Sequence, residues 1–85
     1  MKEFSYTIQD KLGIHARPAG LLVKKANEFK SSVTIHKDAK TADAKKIFAV
    51  MSLGVKMGDN IKVAVSGVDE DTAFDELQNF FKTVL

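Results

Sequence analysis

The stretch Gly13-Ile14-His15-Ala16-Arg17-Pro18 places an imidazole and a guanidinium two residues apart, at a point where a helix is predicted to begin. Proline lacks a backbone N–H and is tolerated only in the first turn of a helix, so Pro18 locates that beginning. The first N–H groups of a helix have no partner within it and favour anions. The stretch therefore predicts that backbone amides and Arg17 would together receive a phosphate held at His15.

An amphipathic helix is predicted to follow Pro18. Apolar residues recur there at intervals of three and four, and most polar residues fall on the other side. The apolar set is Ala19, Leu22, Val23, Ala26 and Phe29. Gly20 is a poor former of helix interiors, so it either weakens this end of the helix or leaves room for a close approach.

Alternating apolar and polar residues predict four strands in the remainder of the chain. They are expected at residues 3–8, 32–36, 40–43 and 61–66. Between the second and third strands, Asp38-Ala39 lacks the glycine that a tight type I′ turn favours. A longer or differently typed turn is therefore expected there.

Two further helices are predicted. Residues 44–53 carry apolar side chains too numerous for one narrow stripe, so some of them should stay exposed, and Gly54 could close this helix. A longer helix is expected after Asp69-Glu70-Asp71, because acidic residues suit the positive end of a helix. Its apolar residues also recur with helical spacing, at Ala73, Phe74, Leu77, Phe81 and Val84.

The predicted order is strand, helix, strand, strand, helix, strand, helix. Helices on one face of an antiparallel sheet bury its apolar side, so the expected fold is an open-faced α+β sandwich with four antiparallel strands. A chain of 85 residues forms one domain, residues 1–85, with a single modest core.

Composition excludes several classes of function. The chain has 45% apolar and 28% charged residues, no cysteine and a net charge of +2, which is ordinary globular material without a signal for nucleic-acid binding. No apolar run could span a bilayer and no hydrophobic signal core opens the chain, so a cytoplasmic protein without membrane insertion is expected. His36 has no second ligand at a suggestive spacing, so neither a metal nor another cofactor is predicted.

The chemistry of the opening stretch has two readings. A neutral imidazole is a competent nucleophile toward activated phosphorus, and the product can pass the phosphoryl group onward. A lone histidine before a helix is also commonly an ordinary surface residue. No substrate pocket is evident in so small a chain, so His15 would have to act on partners that bring their own active sites.

Two separated segments carry a resemblance to a known family. Gly13-Ile14-His15-Ala16-Arg17-Pro18-Ala19 resembles the active-site signature of HPr, the histidine-containing phosphocarrier family of the phosphoenolpyruvate-dependent sugar phosphotransferase system. Ala44-Lys45-Lys46-Ile47-Phe48-Ala49-Val50-Met51-Ser52-Leu53-Gly54 is similar to the second signature of the same family. Length and element order match over essentially the whole chain.

The resemblance implies a specific relay. Phosphorylated enzyme I would phosphorylate His15 on Nδ1, and His15 would then donate the group to sugar-specific enzyme IIA components. Arg17 would stabilise the phosphate, together with the backbone amides of Ala16 and Arg17. The protein would be a stoichiometric carrier and not a stand-alone enzyme, and we expect a monomer. The docking residues carried over from the family are Gly20, Lys24, Ile47, Phe48 and Met51.

Other readings of the second segment stay open. Ile47 could simply pack in the core, and the protein could be a non-catalytic interaction module that uses Ile47, Phe48 and Met51, with His15 incidental. A basic rim of Arg17, Lys24, Lys45 and Lys46 is expected to steer an acidic partner surface.

One position departs from the family pattern. Many Gram-positive members have, where Lys46 stands here, a serine that a dedicated kinase phosphorylates. No regulatory serine is therefore predicted, and Ser52, at a different place in the segment, does not inherit the role.

Overall fold

The computed structural model describes residues 1–85. Four strands and three helices follow one another in the predicted order. The strands are β1 (Lys2–Thr7), β2 (Ser32–Lys37), β3 (Lys40–Asp43) and β4 (Asn60–Ser66). The helices are α1 (Ala16–Ala26), α2 (Ile47–Ser52) and α3 (Glu70–Val84). All neighbouring strands are antiparallel, in the order β1-β4-β2-β3, so the predicted open-faced α+β sandwich is confirmed.

The core lies between the sheet and the two longer helices. Alternate residues of the central strands point inward, and β2 and β4 contribute Val33, Ile35, Ile61, Val63 and Val65, all at most 1% exposed. Six fully buried residues of α1 and α3 pack against these strand residues: Ala19, Leu22, Ala26, Ala73, Leu77 and Phe81. Small alanines on both helices let the helix backbones approach the sheet closely, and the opposite face of the sheet is polar.

The turn between β2 and β3 has two residues. Lys37 pairs directly with Lys40, so only Asp38 and Ala39 form the connection. Asp38 has φ +53°, a conformation that aspartate tolerates better than most residues, while Ala39 does not have a positive φ. The turn is therefore not type I′, which needs positive φ at both central residues, and the expectation of a longer or differently typed turn is confirmed in its second alternative.

Helix α2 begins three residues later than predicted, at Ile47 instead of Ala44. The amide of Ala44 donates to the carbonyl oxygen of Val33 at 2.9 Å, which continues the pairing with β2. That bond holds Ala44 against the sheet, so the helix cannot start there. The end of the helix was predicted correctly, because Gly54 follows the last turn with φ +64°.

The carboxylate of Asp69, just before α3, binds the loop between α1 and β2. Asp69 precedes the helix, but its carboxylate makes no bond to the helix's own amides. It accepts hydrogen bonds from the amides of Lys30 and Ser31, both at 2.9 Å, and from the Ser31 hydroxyl. These bonds, above all that from Ser31, lower the pKa of Asp69 from 3.8 to about 2. The carboxylate therefore joins the start of α3 to the loop between α1 and β2.

Candidate functional site: a histidine at the start of a helix

His15 is the residue that immediately precedes α1. Its backbone is extended, with φ −103° and ψ −175°, and its carbonyl oxygen accepts the first helical bond from Ala19 at 2.9 Å. The imidazole makes no capping bond to the helix, and the side chain is 36% exposed. The predicted helix start is confirmed, and the ring is left accessible to a protein partner.

The first two amides of α1 are free to bind an anion. Neither Ala16 nor Arg17 donates a backbone hydrogen bond within the protein, and Pro18 has no N–H. The exposed guanidinium of Arg17 forms no ion pair with any carboxylate. Two unpaired N–H groups and one unpaired cation therefore lie beside the imidazole, which is the donor set that a phosphoryl group requires.

A shallow cleft of about 260 Å³ adjoins the imidazole. Its lining residues are Asp10, His15, Arg17, Pro18, Leu21 and Val84. The structure thus brings His15 and Arg17 to one opening, as the opening stretch predicted. The cleft is too small and too open to enclose a substrate, which fits a histidine that reacts at the surface.

The loop that carries His15 is hydrogen-bonded to the segment after α2. The amide of Ile14 donates to the carbonyl oxygen of Val55 at 3.1 Å. Gly13 has φ +68°, and a Cβ at this position would lie 2.7 Å from the Cα of Lys56. Only glycine fits here, because the backbone is left-handed and the neighbouring chain leaves no room for a side chain.

Lys37 holds the end of α2 in place. Its Nζ donates to the carbonyl oxygen of Gly54 at 3.0 Å and pairs with Oδ2 of Asp59 at 3.2 Å. A hydrogen bond from the Lys56 amide, followed by the contact with Lys37, lowers the pKa of Asp59. Helix α2, its following loop and the His15 loop are therefore one connected unit, a link that the sequence analysis did not identify.

Asp10 also lies at the site and was missed by the sequence analysis. Its Oδ1 is 3.7 Å from Nε2 of His15 and accepts a hydrogen bond from the amide of Leu12 at 2.9 Å. An aspartate that binds the amide two residues ahead is a common loop motif, and that signal was available in the sequence. The contact with His15 was not, because it depends on the path of the intervening loop.

The residues predicted for docking differ in exposure. Phe48 is 85% exposed and Met51 is 40% exposed, and Lys24 is also on the surface. Ile47 is partly buried and packs against the core. A Cβ on Gly20 would lie 4.0 Å from the Ile47 side chain, so these two positions bring α1 and α2 together.

The four lysine and arginine residues predicted to form a basic rim are not equivalent. Lys46 is exposed and immediately precedes α2, and Arg17 and Lys24 are exposed as well. The Nζ of Lys45 donates to the carbonyl oxygen of Phe29 at 2.8 Å. Lys45 therefore joins the segment before α2 to the loop after α1, and its ammonium group, which forms no ion pair, keeps its charge.

His36 lies on the polar face of the sheet, far along the chain from the His15 loop, and is paired in register with Lys62. No group of three histidine, aspartate or glutamate side chains comes together in a way that could hold a metal ion. None of the three helices has the length and apolar character needed to cross a membrane.

Comparison with known proteins places this geometry in a family. Residues 2–83 match the family model described as the PTS HPr component phosphorylation site. The chain is 46% identical to the phosphocarrier protein HPr of Lysinibacillus sphaericus, over 91% of this chain and 88% of that protein. It is 39% identical to the HPr-like protein Crh of Halalkalibacterium halodurans, over 96% and 98% of the two chains.

Solved structures agree with this placement. The crystal structure of HPr-C-His from Thermoanaerobacter tengcongensis superposes with a TM-score of 0.93 at 41% identity, covering 98% of this chain and 93% of that chain. An HPr dimer from the same organism gives a TM-score of 0.77 at 41% identity, covering 98% and 95%. From its sequence signatures, its fold and its exposed histidine at a helix start, the chain belongs to the HPr family of phosphocarrier proteins of the phosphotransferase system.

Proposed function

We propose that the protein accepts a phosphoryl group on His15 from phosphorylated enzyme I and passes it to enzyme IIA components during sugar uptake. The observation that carries this proposal is the pair of unpaired amides, of Ala16 and Arg17, directly after the exposed imidazole. Amides at a helix start bind phosphate without further rearrangement of the backbone. The Arg17 guanidinium adds a charge-assisted donor.

The protein is a carrier in this scheme. The imidazole is the nucleophile, and the helix start with Arg17 stabilises the dianion that it acquires. The helix end contributes only about 0.3–1 kcal/mol at an exposed site, so direct hydrogen bonds from the amides and Arg17 supply most of the stabilisation. The partners supply the remaining catalytic groups, since the cleft at His15 encloses no substrate.

The docking surface for both partners lies on α2 and α1. Helix α2 contributes Phe48, Met51 and the exposed part of the Ile47 side chain, and α1 contributes Gly20 and Lys24. A large aromatic ring that is exposed to solvent is typical of an interface. Arg17, Lys24 and Lys46 supply positive charge for an acidic partner. The carrier is proposed to be cytoplasmic and monomeric, and a measurement of molecular mass in solution distinguishes a monomer from a dimer like that of T. tengcongensis HPr.

The decisive experiment supplies phosphoenolpyruvate, magnesium and active enzyme I and follows the mass of the intact protein. One acid-labile phosphoryl group is expected, and it should disappear on addition of an enzyme IIA. The matched control is His15→Ala, with His36→Ala as a second variant that removes the other imidazole. No gain in mass for the unmodified protein, or an equal gain in His15→Ala, would overturn the carrier function.

A second candidate function is a non-catalytic interaction module. The observation in its favour is the 85% exposure of Phe48, a large apolar side chain that could bind a regulator without any phosphoryl transfer. Binding of a regulator that is equally strong for the unmodified protein and for His15→Ala, without phosphorylation by enzyme I, would favour this candidate.

A further inference from the structure

We propose that Asp10 is a positioning residue for His15, whose carboxylate faces the Nε2–H of the imidazole and leaves Nδ1 as the nitrogen that takes the phosphoryl group. This inference rests on the phosphocarrier function proposed above. It assigns to the loop before the signature a role in choosing the reactive nitrogen.

The carboxylate of Asp10 is held in place before any reaction occurs. Its Oδ1 accepts a hydrogen bond from the Leu12 amide at 2.9 Å, its carbonyl oxygen accepts one from the Gly13 amide at 2.9 Å, and its own amide donates to Leu85 at 2.9 Å. The side chain is only 28% exposed. One of these bonds holds the carboxylate and the other two hold the backbone of Asp10, so the side chain projects from a fixed point and loses little freedom when it orients a neighbour.

The same oxygen, Oδ1, lies 3.7 Å from Nε2 of His15. This separation is longer than a formed hydrogen bond of about 2.7–3.2 Å. Contacts of reacting histidines are commonly long in the resting protein and shorten in the reactive complex. The bond from the Ile14 amide to Val55 holds the loop in place, so the proposal requires only a rotation of the imidazole to shorten this contact.

The chemistry of the two groups selects one ring tautomer. A neutral imidazole carries a proton on one nitrogen and a lone pair on the other, and an ionised carboxylate can only accept. Facing Asp10, Nε2 is therefore the protonated nitrogen and Nδ1 carries the lone pair. This is the division of roles by which the aspartate of a serine-protease triad orients its histidine.

The transfer step then balances without a proton leaving His15. Nδ1 donates its lone pair to the phosphorus of the donor's phosphohistidine, the new N–P bond forms, and the electron pair of the broken bond returns to the donor ring. The proton on Nε2 stays in place, so the His15 ring changes from neutral to cationic. Asp10 becomes its counter-ion, and onward transfer returns the ring to the neutral form.

Asp10 is available for this role because Arg17 does not compete for it. Both residues line the same cleft, yet no ion pair joins them. The positive charge of Arg17 is left for the phosphate and the negative charge of Asp10 for the ring.

Nitrogen-15 NMR of the two histidine rings tests the tautomer without any partner protein. In the unmodified protein, under conditions where the ring is neutral, His15 is expected to carry its proton on Nε2. Asp10→Ala should raise the share of His15 with the proton on Nδ1, with His36 as an internal reference. Asp10→Asn keeps the accepting Oδ1 and should retain the tautomer. An unchanged tautomer in Asp10→Ala would overturn the proposal.

Asp43→Ala is the matched control. Its Oδ1 accepts a hydrogen bond from the amide two residues ahead, Lys45, at 2.9 Å, the same loop contact that Asp10 makes with Leu12, but no histidine faces it. If Asp43→Ala changed the His15 tautomer as much as Asp10→Ala does, loss of a loop hydrogen bond alone would explain the change. That result would also overturn the proposal.

Transfer kinetics test the counter-ion. Asp10→Ala and Asp10→Asn are expected to lower the maximal rate of phosphoryl transfer from enzyme I by about tenfold, with little change in KM for the docked partner. A loss confined to KM, or no loss in either variant, would overturn this part. Failure of the unmodified protein to accept any phosphoryl group would instead refute the carrier function, and the tautomer measurement would still stand.

Discussion

The amide of Ile14 donates to the carbonyl oxygen of Val55 at 3.1 Å, and this bond fixes the loop that carries His15 against the segment that follows α2. The neighbouring Gly13 completes the contact, since a Cβ there would lie 2.7 Å from the Cα of Lys56. His15, the proposed phosphoryl acceptor, and α2, the proposed docking helix, therefore keep one relative position.

Gly13→Ala should disrupt this contact. A non-glycine residue at φ +68° costs about 1–3 kcal/mol, and the clash with backbone atoms adds to that cost. Urea unfolding should show a loss of at least this size, accompanied by slower phosphoryl transfer. Gly54→Ala is the control, because Gly54 has φ +64° with no atom within 4 Å of the added Cβ. An equal loss in both variants would show that the contact with Lys56 is unimportant.

Arg17→Ala should keep the fold and slow the transfer. The guanidinium forms no ion pair and the side chain is exposed, so the free energy of unfolding should change by less than about 0.5 kcal/mol. Circular dichroism checks the fold and stopped-flow transfer from enzyme I checks the rate. Arg17→Lys should recover only part of the rate, because lysine cannot make the bidentate contact of arginine with phosphate. Full activity of Arg17→Ala would remove Arg17 from the site.

Phe48→Ala should separate binding from stability. Its ring is 85% exposed, so the free energy of unfolding should change by less than about 0.5 kcal/mol. Affinity for enzyme I, measured by calorimetry, should fall by about tenfold or more, as expected for an aromatic anchor of an interface. Leu22→Ala is the contrasting variant, since Leu22 is fully buried and its truncation should cost about 2–5 kcal/mol. Unchanged affinity in Phe48→Ala would move the docking surface elsewhere.

Lys46→Ser should stabilise the protein. Lys46 occupies the position just before α2 with φ −122° and ψ 114°, and its positive charge lies at the positive end of that helix. Serine can accept a hydrogen bond from the first turn there, which should add about 0.5–1 kcal/mol to the free energy of unfolding. Lys46→Ala removes the charge without supplying the cap and should gain less.

The same position governs a second expectation. A kinase specific for a serine at this position of the family pattern should leave the unmodified protein unlabelled, because Lys46 offers no hydroxyl. Radiolabelled ATP followed by phosphoamino-acid analysis would detect phosphoserine, and its appearance would mean that another serine, such as Ser52, is the substrate.

Asp69 should confer stability that acid removes. Hydrogen bonds from Ser31 and Lys30 lower the pKa of its carboxyl from 3.8 to about 2, so the folded state favours the ionised form. The contribution is present above about pH 4 and is lost as pH falls toward 2. The urea midpoint of Asp69→Asn should lie below that of the unmodified protein at pH 7, and the difference should shrink between pH 4 and 2. Asp75→Asn, which removes a carboxylate without hydrogen-bond partners, should show no such convergence.

Local sequence patterns were sufficient to predict the order of the elements and the histidine that precedes α1. Buried positions recur every second residue in a strand and every third or fourth residue in a helix. Apolar residues with these spacings therefore identify the buried side of each element, as Val33 and Ile35 do in β2 and Leu22 and Ala26 do in α1. Pro18 located the start of α1, since proline lacks the N–H that a later turn would need. His15 and Arg17 are neighbours in sequence, so their common position needed no long-range contact.

Long-range contacts decided the rest. The local pattern predicts that Ala44 is helical, but its bond to Val33 holds it against the sheet. The contact between Lys45 and the Phe29 carbonyl likewise joins segments that are far apart in sequence. Asp10 reaches His15 only because the loop between them is folded back on Val55.

The sequence by itself therefore determined the order of elements, the buried faces and the histidine at the helix start, all of which depend on residues close together along the chain. The tertiary structure decided which charged side chains form ion pairs, which carboxylate faces the imidazole and how the segment after α2 is joined to the loop that carries His15. These contacts depend on the path of the folded chain, so the spacing of residues within one segment does not predict them.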